Sequence, residues 1–269
     1  MSGRQSNVQL SKDRSLLLGQ SIAERSKVSG NRELVVLVHG MGRTPLSMVP
    51  LKRYLQQSGY EVLNFGYFSF GLTIRKISEK LSGAVAQKMA EETFEKVHFV
   101  GETIGGTIGL QFAYEHSERL TSLTTCTSPY KFTGVPTYLE YHKLVKEEGV
   151  SSWIAKTANN RLEPGKSNPE HLSWYSDQMS QTSQHVVVET LAYLSTVDLT
   201  DVLPLIPTPT LVMVGKESAM NTLDRGKVMA DLLNDGRLAE ITGGSGYIQH
   251  SDPAACVAVW REFLGNLSH

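Results

Sequence analysis

The chain has 269 residues, of which 40% are hydrophobic and 20% charged, a composition typical of a globular protein rather than a disordered one. Its 26 Lys and Arg side chains nearly balance its 27 Asp and Glu, and a net charge of −1 argues against a nucleic-acid partner. Two cysteines are too few for a disulfide framework, and no apolar run reaches the roughly 18 residues of a membrane span. The first thirty residues lack the apolar core of a signal peptide, so we expect a cytoplasmic protein.

Strands and helices are predicted in alternation through both outer parts of the chain. The first thirty residues are polar, with two short candidate edge strands, VQL and SLLL. Strands are then predicted in ELVVLVHG (33–40), YEVLNFG (60–66), KVHFVG (96–101), LTSLTTCTS (120–128), PTLVMVG (209–215) and RLAEIT (237–242). Helices are predicted at 48–59, at 72–90, from the end of the third strand to residue 116, and at 221–236 and 253–264. This alternation predicts an α/β fold with a mostly parallel, doubly wound sheet.

The chain changes character between the fourth and fifth predicted strands. Helical segments follow one another there with no strand between them, at 137–149, 151–160, 168–181 and 183–197. We therefore expect a helical cap at 130–205, inserted into a core formed by 1–129 and 206–269. Because ligands bind at the carboxyl ends of parallel strands, such a cap would cover the ligand site.

Two glycine-rich turns follow predicted strands and have the spacing of a catalytic site. The spacing Gly101-x-Thr103-x-Gly105 is that of a nucleophile elbow, a sharp strand-to-helix turn that presents its middle residue to a ligand. The other turn is HGMG at 39–42. The backbone N–H groups of Met41 and Ile104 would together form an oxyanion hole.

These turns and the order of the strands resemble the α/β-hydrolase superfamily, over nearly the whole chain from about Leu34 to Leu264. The helical cap, VDLTDVLPLIPTPTLVMVGKES (197–218) and GGSGYIQHSDP (243–253) are similar to 3-oxoadipate enol-lactonases and related capped esterases. The stretches HGMGRTPLSM and LNFGYFS are similar to bacterial lipase-like members. The resemblance implies an α/β-hydrolase fold and a small-molecule substrate. No cluster of His, Cys and carboxylate residues has metal-ligand spacing, so neither a metal nor a cofactor is expected.

The catalytic triad of the superfamily is Ser, then an acid after the next-to-last strand, then His after the last strand. The resemblance places Thr103 at the serine position. It places Ser218, preceded by Glu217, at the acid position, and Tyr247 at the histidine position. His250 matches a second histidine of the family that is normally not catalytic. The resemblance thus implies a degenerate triad.

Each of these replacements weakens acyl-transfer chemistry. The methyl group of Thr103 restricts its side chain and crowds the path of attack, and its hydroxyl is a weak nucleophile without a base. Tyr247 is protonated at neutral pH and is a poor base, while Ser218 cannot carry the charge that stabilises an imidazolium. Loss of one triad member typically lowers turnover by about 10⁴-fold. A rescue by His250, oriented by Glu217, requires that histidine to reach Thr103 from three residues past the usual position.

Further residues near the two turns have candidate roles in substrate binding. Glu102 is either a general base with a raised pKa or, as we favour, a structural residue that holds a neighbouring loop. Gly40 lets the backbone approach a ligand, and His39 fixes the oxyanion loop. Tyr67 and Tyr130 are candidates for the wall of an apolar pocket.

Three hypotheses for function remain open from the sequence. The first is an enzyme that acts on a small, largely apolar ester, lactone or thioester, with Thr103 as nucleophile or hydrogen-bond donor. The second is a lyase, cyclase or isomerase in which Thr103, Tyr247 and His250 or Glu102 exchange protons without a covalent intermediate. The third is a non-catalytic pseudoenzyme that binds a small molecule or a protein partner. The sequence does not indicate an oligomeric state.

Overall fold

A computed structural model of the protein describes residues 32–267, except for residues 69, 159–168, 219–220 and 243–245. The two short strands predicted in VQL and SLLL lie outside the described residues. Six strands form one sheet: β1 (Glu33–Val38), β2 (Glu61–Phe65), β3 (Lys96–Glu102), β4 (Ser122–Cys126), β5 (Thr210–Gly215) and β6 (Gly236–Ile241). Their order is β2-β1-β3-β4-β5-β6, and every neighbouring pair is parallel. The predicted parallel α/β sheet is confirmed.

The helices of the described residues lie on both faces of this sheet and in the connection between β4 and β5. They are α1 (Val49–Gln57), α2 (Ile74–Glu91), α3 (Ile104–Glu115), α4 (Pro136–Thr157), α5 (Pro169–Ser180), α6 (Gln184–Leu194), α7 (Leu223–Leu232), α8 (Ile248–Ser251) and α9 (Pro253–Gly265). Short 3-10 turns lie at Pro45–Met48, Ser117–Arg119 and Leu203–Leu205. None of the helices in the described part of the chain combines the length and apolar character that a membrane span requires.

The two faces of the sheet explain why β1 is apolar at nearly every position. Leu34, Val36 and Val38 belong to the core on the face covered by α2, α3 and α7. Val35 and Leu37 belong to a second core, formed with α1 and α9 on the opposite face. A strand covered on both faces buries all its side chains, which is why a parallel strand forms a continuous hydrophobic run.

The sheet reverses its direction of winding between β1 and β3. From β1 the chain adds β2 on one side, and it then crosses to add β3 on the other side. In α/β sheets a crevice opens at such a reversal, at the carboxyl ends of the strands. The register pairs Val38 with Gly101, so the HGMG turn after β1 and the elbow after β3 lie side by side.

A helical insertion, α4 to α6, connects β4 to β5. Helix α4 bends at Gly149, whose φ of 86° lies in the left-handed region that favours glycine. At the base of the insertion, Lys131 and Asp198 form an isolated antiparallel bridge. The backbone N–H of Phe132 donates to the Val197 carbonyl, which strengthens the same junction. The chain therefore returns to the sheet beside the point where it left.

Candidate functional site

The turn between β3 and α3 has the strained backbone of a nucleophile elbow. Thr103 has φ 48° and ψ −115°, a conformation that a β-branched residue rarely adopts. Its backbone N–H donates to the Cys126 carbonyl at 3.0 Å, and its own carbonyl accepts from Gly106 at 3.0 Å. These hydrogen bonds on both sides of the residue hold the strained conformation. The side chain is partly exposed and does not cap the helix.

Close packing accounts for the glycines of both turns. A Cβ atom on Gly105 would overlap the Val38 carbonyl oxygen, and one on Gly101 would overlap the backbone of Gly105 and Gly106. A Cβ atom on Gly40 would overlap the Thr103 hydroxyl. The hydroxyl therefore lies against the turn that follows β1, where the oxyanion hole is expected.

The two predicted oxyanion residues both line a cavity at the elbow. Ile104 is the first residue of α3, where helix geometry leaves the backbone N–H without a carbonyl partner. Met41 lines the same cavity from the neighbouring turn. An N–H at a helix start is also favoured by the helix dipole for contact with negative charge. The pair is thus suited to a polarised carbonyl oxygen.

The cavity is small and mostly apolar. The space that the centres of water molecules can occupy inside it is about 60 Å³. This is enough for a few waters or a small organic group. Its polar lining residues are Thr103, Thr127, Asn221 and Tyr247. Most of the apolar wall comes from the helical insertion and the segment leading into it: Phe132, Tyr138, Tyr141, Trp153, Leu191 and Leu194.

A buried ion pair lies behind the elbow. The Arg43 guanidinium is 3.1 Å from Oε1 of Glu102, and their side chains are 5% and 0% exposed. Burial raises the pKa of Glu102, and the Arg43 charge and the Gln249 amide offset this only in part. Burial alone would lower the pKa of Arg43, but the Glu102 carboxylate, together with Tyr247 and Tyr175, raises it. Glu102 thus holds the turn that carries Arg43 against the elbow.

Arg43 also organises the aromatic residues next to the cavity. Its Cζ atom lies 3.7 Å from the ring centroid of Tyr247 and 5.0 Å from that of Tyr175, within cation–π range of both rings. The two phenol oxygens are 3.3 Å apart. Arg43 donates from Nη1 to Nε2 of His250 at 2.8 Å, so Nε2 is an acceptor and this histidine is neutral.

Comparison with known proteins agrees with this geometry. The family model of the alpha/beta hydrolase fold matches residues 33–253. The chain belongs to this family. The resemblance stated from the sequence is therefore confirmed.

The relatives of this α/β-hydrolase carry the names of several hydrolases. A putative carbamate hydrolase, RutD of Yersinia enterocolitica, is 25% identical over 186 residues, which are 66% of this chain and 65% of the relative. The match thus spans just under two thirds of that protein's length. The enol-lactonase of Burkholderia xenovorans superposes with a TM-score of 0.77 at 19% identity, over 88% of this chain and 93% of its own. An esterase of Thermogutta terrifontis superposes at 0.73 and 22% identity, over 88% and 90%. These two structures show the shared fold.

The structure of this α/β-hydrolase separates the predicted catalytic residues. Thr103 and Tyr247 line the cavity. His250 lies on the short helix α8, which the sequence did not predict, and its ring faces Arg43. Glu217 is exposed, and the Ser218 hydroxyl accepts a hydrogen bond from the Asn221 backbone. The catalytic roles of all five residues stay predictions.

The predicted binding residues divide in the same way. Met41 and Ile104 are among the described residues that line the cavity, and Gly40 and Glu102 are not. The Tyr67 hydroxyl donates to the His39 carbonyl, and the two rings stack at 4.4 Å between centroids. Tyr130 is buried at the base of the helical insertion, where its carbonyl accepts from Leu199. Neither Tyr67 nor Tyr130 is one of the described residues that line the cavity.

His39 is buried in the turn that follows β1. Its Nδ1 lies 2.9 Å from the Gly40 carbonyl and donates to it. Burial lowers the pKa of His39 to about 4, which the hydrogen bond to Gly40 only partly opposes and the Arg43 charge reinforces. The imidazole is therefore neutral at pH 7.

Sequence reasoning missed Arg43, Thr127 and Asn221. A signal for Arg43 was available, because a carboxylate next to the elbow must be paired if it is buried, and Arg43 follows the HGMG turn directly. Thr127 and Asn221 carry no motif, and only the fold brings them to the cavity. Among the described residues no group of three His, Cys, Asp or Glu side chains is arranged to hold a metal ion.

Proposed function

We propose that this α/β-hydrolase binds a small, largely apolar carbonyl compound, an ester, lactone or thioester, and acts on it without the usual Ser-His-Asp triad. One observation carries the proposal: Thr103, Met41 and Ile104 line the same mostly apolar cavity. The backbone N–H groups of Met41 and Ile104 polarise the carbonyl, and the apolar wall holds the rest of the molecule.

In the proposed chemistry His250 is not the base that activates Thr103 for ordinary acyl transfer. The Nε2 lone pair of His250 accepts from Arg43 rather than from Thr103. Glu217, which would orient that histidine, is exposed. Without an adjacent base a hydroxyl is a weak nucleophile, so hydrolysis is expected to be slow.

In the second candidate function, tyrosine hydroxyl groups donate protons and no base activates Thr103. Tyr247 lines the cavity, and its phenol oxygen is 3.3 Å from that of Tyr175. A phenol pair next to a polarised carbonyl suits a lyase, cyclase or isomerase, which is the second candidate function. A pseudoenzyme that only binds the compound is the third.

The relatives named above favour the same substrate class. A carbamate, an enol-lactone and an ester each hold a carbonyl carbon bonded to a heteroatom that can leave. We further propose that the helical insertion acts as a cap over the cavity, because it supplies most of the apolar wall.

The test is the hydrolysis of a short panel of activated aryl esters and thioesters by the purified protein. Thr103→Val removes the candidate nucleophile, His250→Ala removes the relocated base, and Thr93→Val, at an exposed position, is the matched control. We expect slow turnover that is lost in Thr103→Val and retained in His250→Ala.

Each alternative has its own outcome in this panel. Turnover that also falls in His250→Ala would establish a threonine nucleophile with a relocated base. Binding of the esters without turnover above that of Thr103→Val would favour the non-hydrolytic or non-catalytic candidates. Neither binding nor turnover would refute the proposed substrate class.

A further inference from the structure

A second cavity lies beside the one that Thr103 lines. The cavity lined by Thr103, Met41 and Ile104 is called the inner cavity below. The outer cavity is of similar size, about 60 Å³, and its lining residues are Gly42, Arg43, Thr44, Ser47, Trp174, Tyr175, Gln178 and Met179. They come from the segment that follows β1 and from helix α5 of the insertion. The outer cavity therefore lies where the helical insertion meets that segment.

Three contacts place the two cavities side by side. Met179 lines both of them. Tyr247 lines the inner cavity and Tyr175 the outer one, and their phenol oxygens are 3.3 Å apart. Met41 and Gly42, which are neighbours in the chain, line the inner and the outer cavity respectively. A single residue, Met179, therefore separates the cavities at one point.

The two cavities differ in their exposure to solvent. Thr44, Trp174 and Gln178 of the outer cavity are exposed. Of the described residues that line the inner cavity, none is exposed, and only Met41 and Thr103 are partly so. A molecule in the outer cavity therefore has direct access to solvent, and Met179 lies between it and the elbow.

The side chain of Met179 is suited to a barrier that can move. The residue is 3% exposed. A Cβ atom on Gly42 would lie 2.9 Å from Cε of Met179, so the end of the side chain packs on the HGMG turn. Methionine is unbranched and has three rotatable side-chain bonds, so it can change rotamer without a shift of the backbone. The end of the side chain can therefore move while helix α5 stays in place.

We infer that the two cavities are compartments of one binding site, and that Met179 limits the length of the compounds that it accepts. The inference rests on the proposed function and narrows its substrate class. The carbonyl group occupies the inner cavity beside Met41 and Ile104, and the far end of an elongated compound extends past Met179 into the outer cavity. Trp174 and Tyr175 line the outer cavity, which favours an aromatic group at that end.

Two ketones test this arrangement without being hydrolysed. One is 2-pentanone, a short carbonyl compound, and the other is 5-phenyl-2-pentanone, which adds a phenyl group at the far end. Tryptophan fluorescence reports on both cavities, because Trp153 lines the inner one and Trp174 the outer one. Trp260 lies in the core on the opposite face of the sheet. Comparison with Trp174→Phe isolates the signal of Trp174. We expect 2-pentanone to leave that signal unchanged and 5-phenyl-2-pentanone to change it.

Met179→Ala removes the barrier, and Met179→Leu keeps most of its volume. We expect 5-phenyl-2-pentanone to bind the alanine variant about 3- to 10-fold more tightly than the unaltered protein, since no side chain has to leave its preferred rotamer. The leucine variant should not show this gain. The affinity for 2-pentanone should be similar in all three proteins, because this ketone does not reach the outer cavity.

Leu191→Ala is the matched control. Leu191 is buried and lines the inner cavity but not the outer one, so this variant enlarges the inner cavity and leaves the barrier in place. It should not gain affinity for 5-phenyl-2-pentanone as Met179→Ala does. Thermal denaturation checks that the variants are folded. The Trp174 signal of the protein with Met179 intact tests the inference independently of any substitution at the barrier.

The outcomes distinguish the shared binding site from the proposed function. An unchanged Trp174 signal when 5-phenyl-2-pentanone is bound would overturn the shared site alone. Equal affinity of this ketone for the unaltered protein and a folded Met179→Ala variant, or an equal gain in Leu191→Ala, would do the same. Failure of both ketones to bind at millimolar concentration would overturn the shared site together with the proposed substrate class.

Discussion

Removal of either partner of the Arg43–Glu102 pair should destabilise the protein far more than removal of both. The charges are 3.1 Å apart and almost fully excluded from water. At an effective dielectric constant of about 20, their attraction at this distance is about 5 kcal/mol before the cost of desolvation is counted. Glu102→Gln leaves a buried guanidinium without its counter-charge, and such losses typically cost about 3–5 kcal/mol.

Arg43→Met should show a pH dependence that reveals the remaining carboxyl group. Without Arg43, only the Gln249 amide still opposes the effect of burial, and the pKa of Glu102 rises further. A carboxyl group whose pKa is raised on folding holds its proton more tightly in the folded state. The stability of Arg43→Met should therefore fall as the pH rises above the ordinary carboxyl value, relative to Arg43→Met/Glu102→Gln.

Urea denaturation of the four proteins in this cycle, at pH 7, measures the coupling. We expect the double variant to lose at least about 2 kcal/mol less than the sum of the single losses. Lys227 and Asp231 provide the matched control, since their charges are 2.7 Å apart but their side chains are 64% and 62% exposed. Lys227→Met and Asp231→Asn should couple by about 0.5 kcal/mol or less. Additive losses for Arg43 and Glu102 would refute the reasoning.

Three further outcomes are expected. Because the pKa of His39 is lowered to about 4, its contribution to stability is complete above pH 6.5 and is lost as the pH falls toward 4. Over this range the protein should lose about 3 kcal/mol more of its free energy of unfolding than His39→Asn does, as measured by urea denaturation. Parallel pH profiles of the two proteins would contradict this. Gly83→Ala, on an open helix surface, should stabilise the protein by up to about 1 kcal/mol. Gly105→Ala places a Cβ atom against the Val38 carbonyl and should lower the melting temperature sharply. Similar effects of the two substitutions would show that the elbow is not closely packed. Thr127→Gly should lower the free energy of unfolding by less than about 1 kcal/mol, because relief of the strain at φ 47° offsets part of the cost of losing a buried side chain. A loss of several kcal/mol would argue against strain at this position.

Most of the sheet could be predicted from the sequence because its signals are local. Buried parallel strands require continuous apolar runs, and Leu34 to Val38 and Thr210 to Gly215 are such runs. The elbow could be predicted as well, since backbone contacts around residues 101 and 105 exclude every side chain.

The polar groups around the site could not be predicted in the same way. Arg43 and Glu102 meet only because β1 and β3 are neighbours in register. Thr127 and Asn221 reach the cavity from the ends of different strands, and no spacing in the chain connects them. The Nε2 atom of His250 accepts a hydrogen bond from the Arg43 guanidinium, which is 207 positions away in the sequence. Interactions of this kind are set by tertiary structure.

The junction at the base of the helical insertion has a consequence for how this protein can diversify. Lys131 and Asp198 are joined by the backbone bridge and by an ion pair of 2.7 Å, so the ends of the insertion are neighbours. An insertion whose two ends are adjacent can be replaced by another segment, because the new segment needs only to join the same two chain ends. The insertion supplies most of the apolar wall of the cavity, so such an exchange would change that wall while the turn between β3 and α3 stays in place.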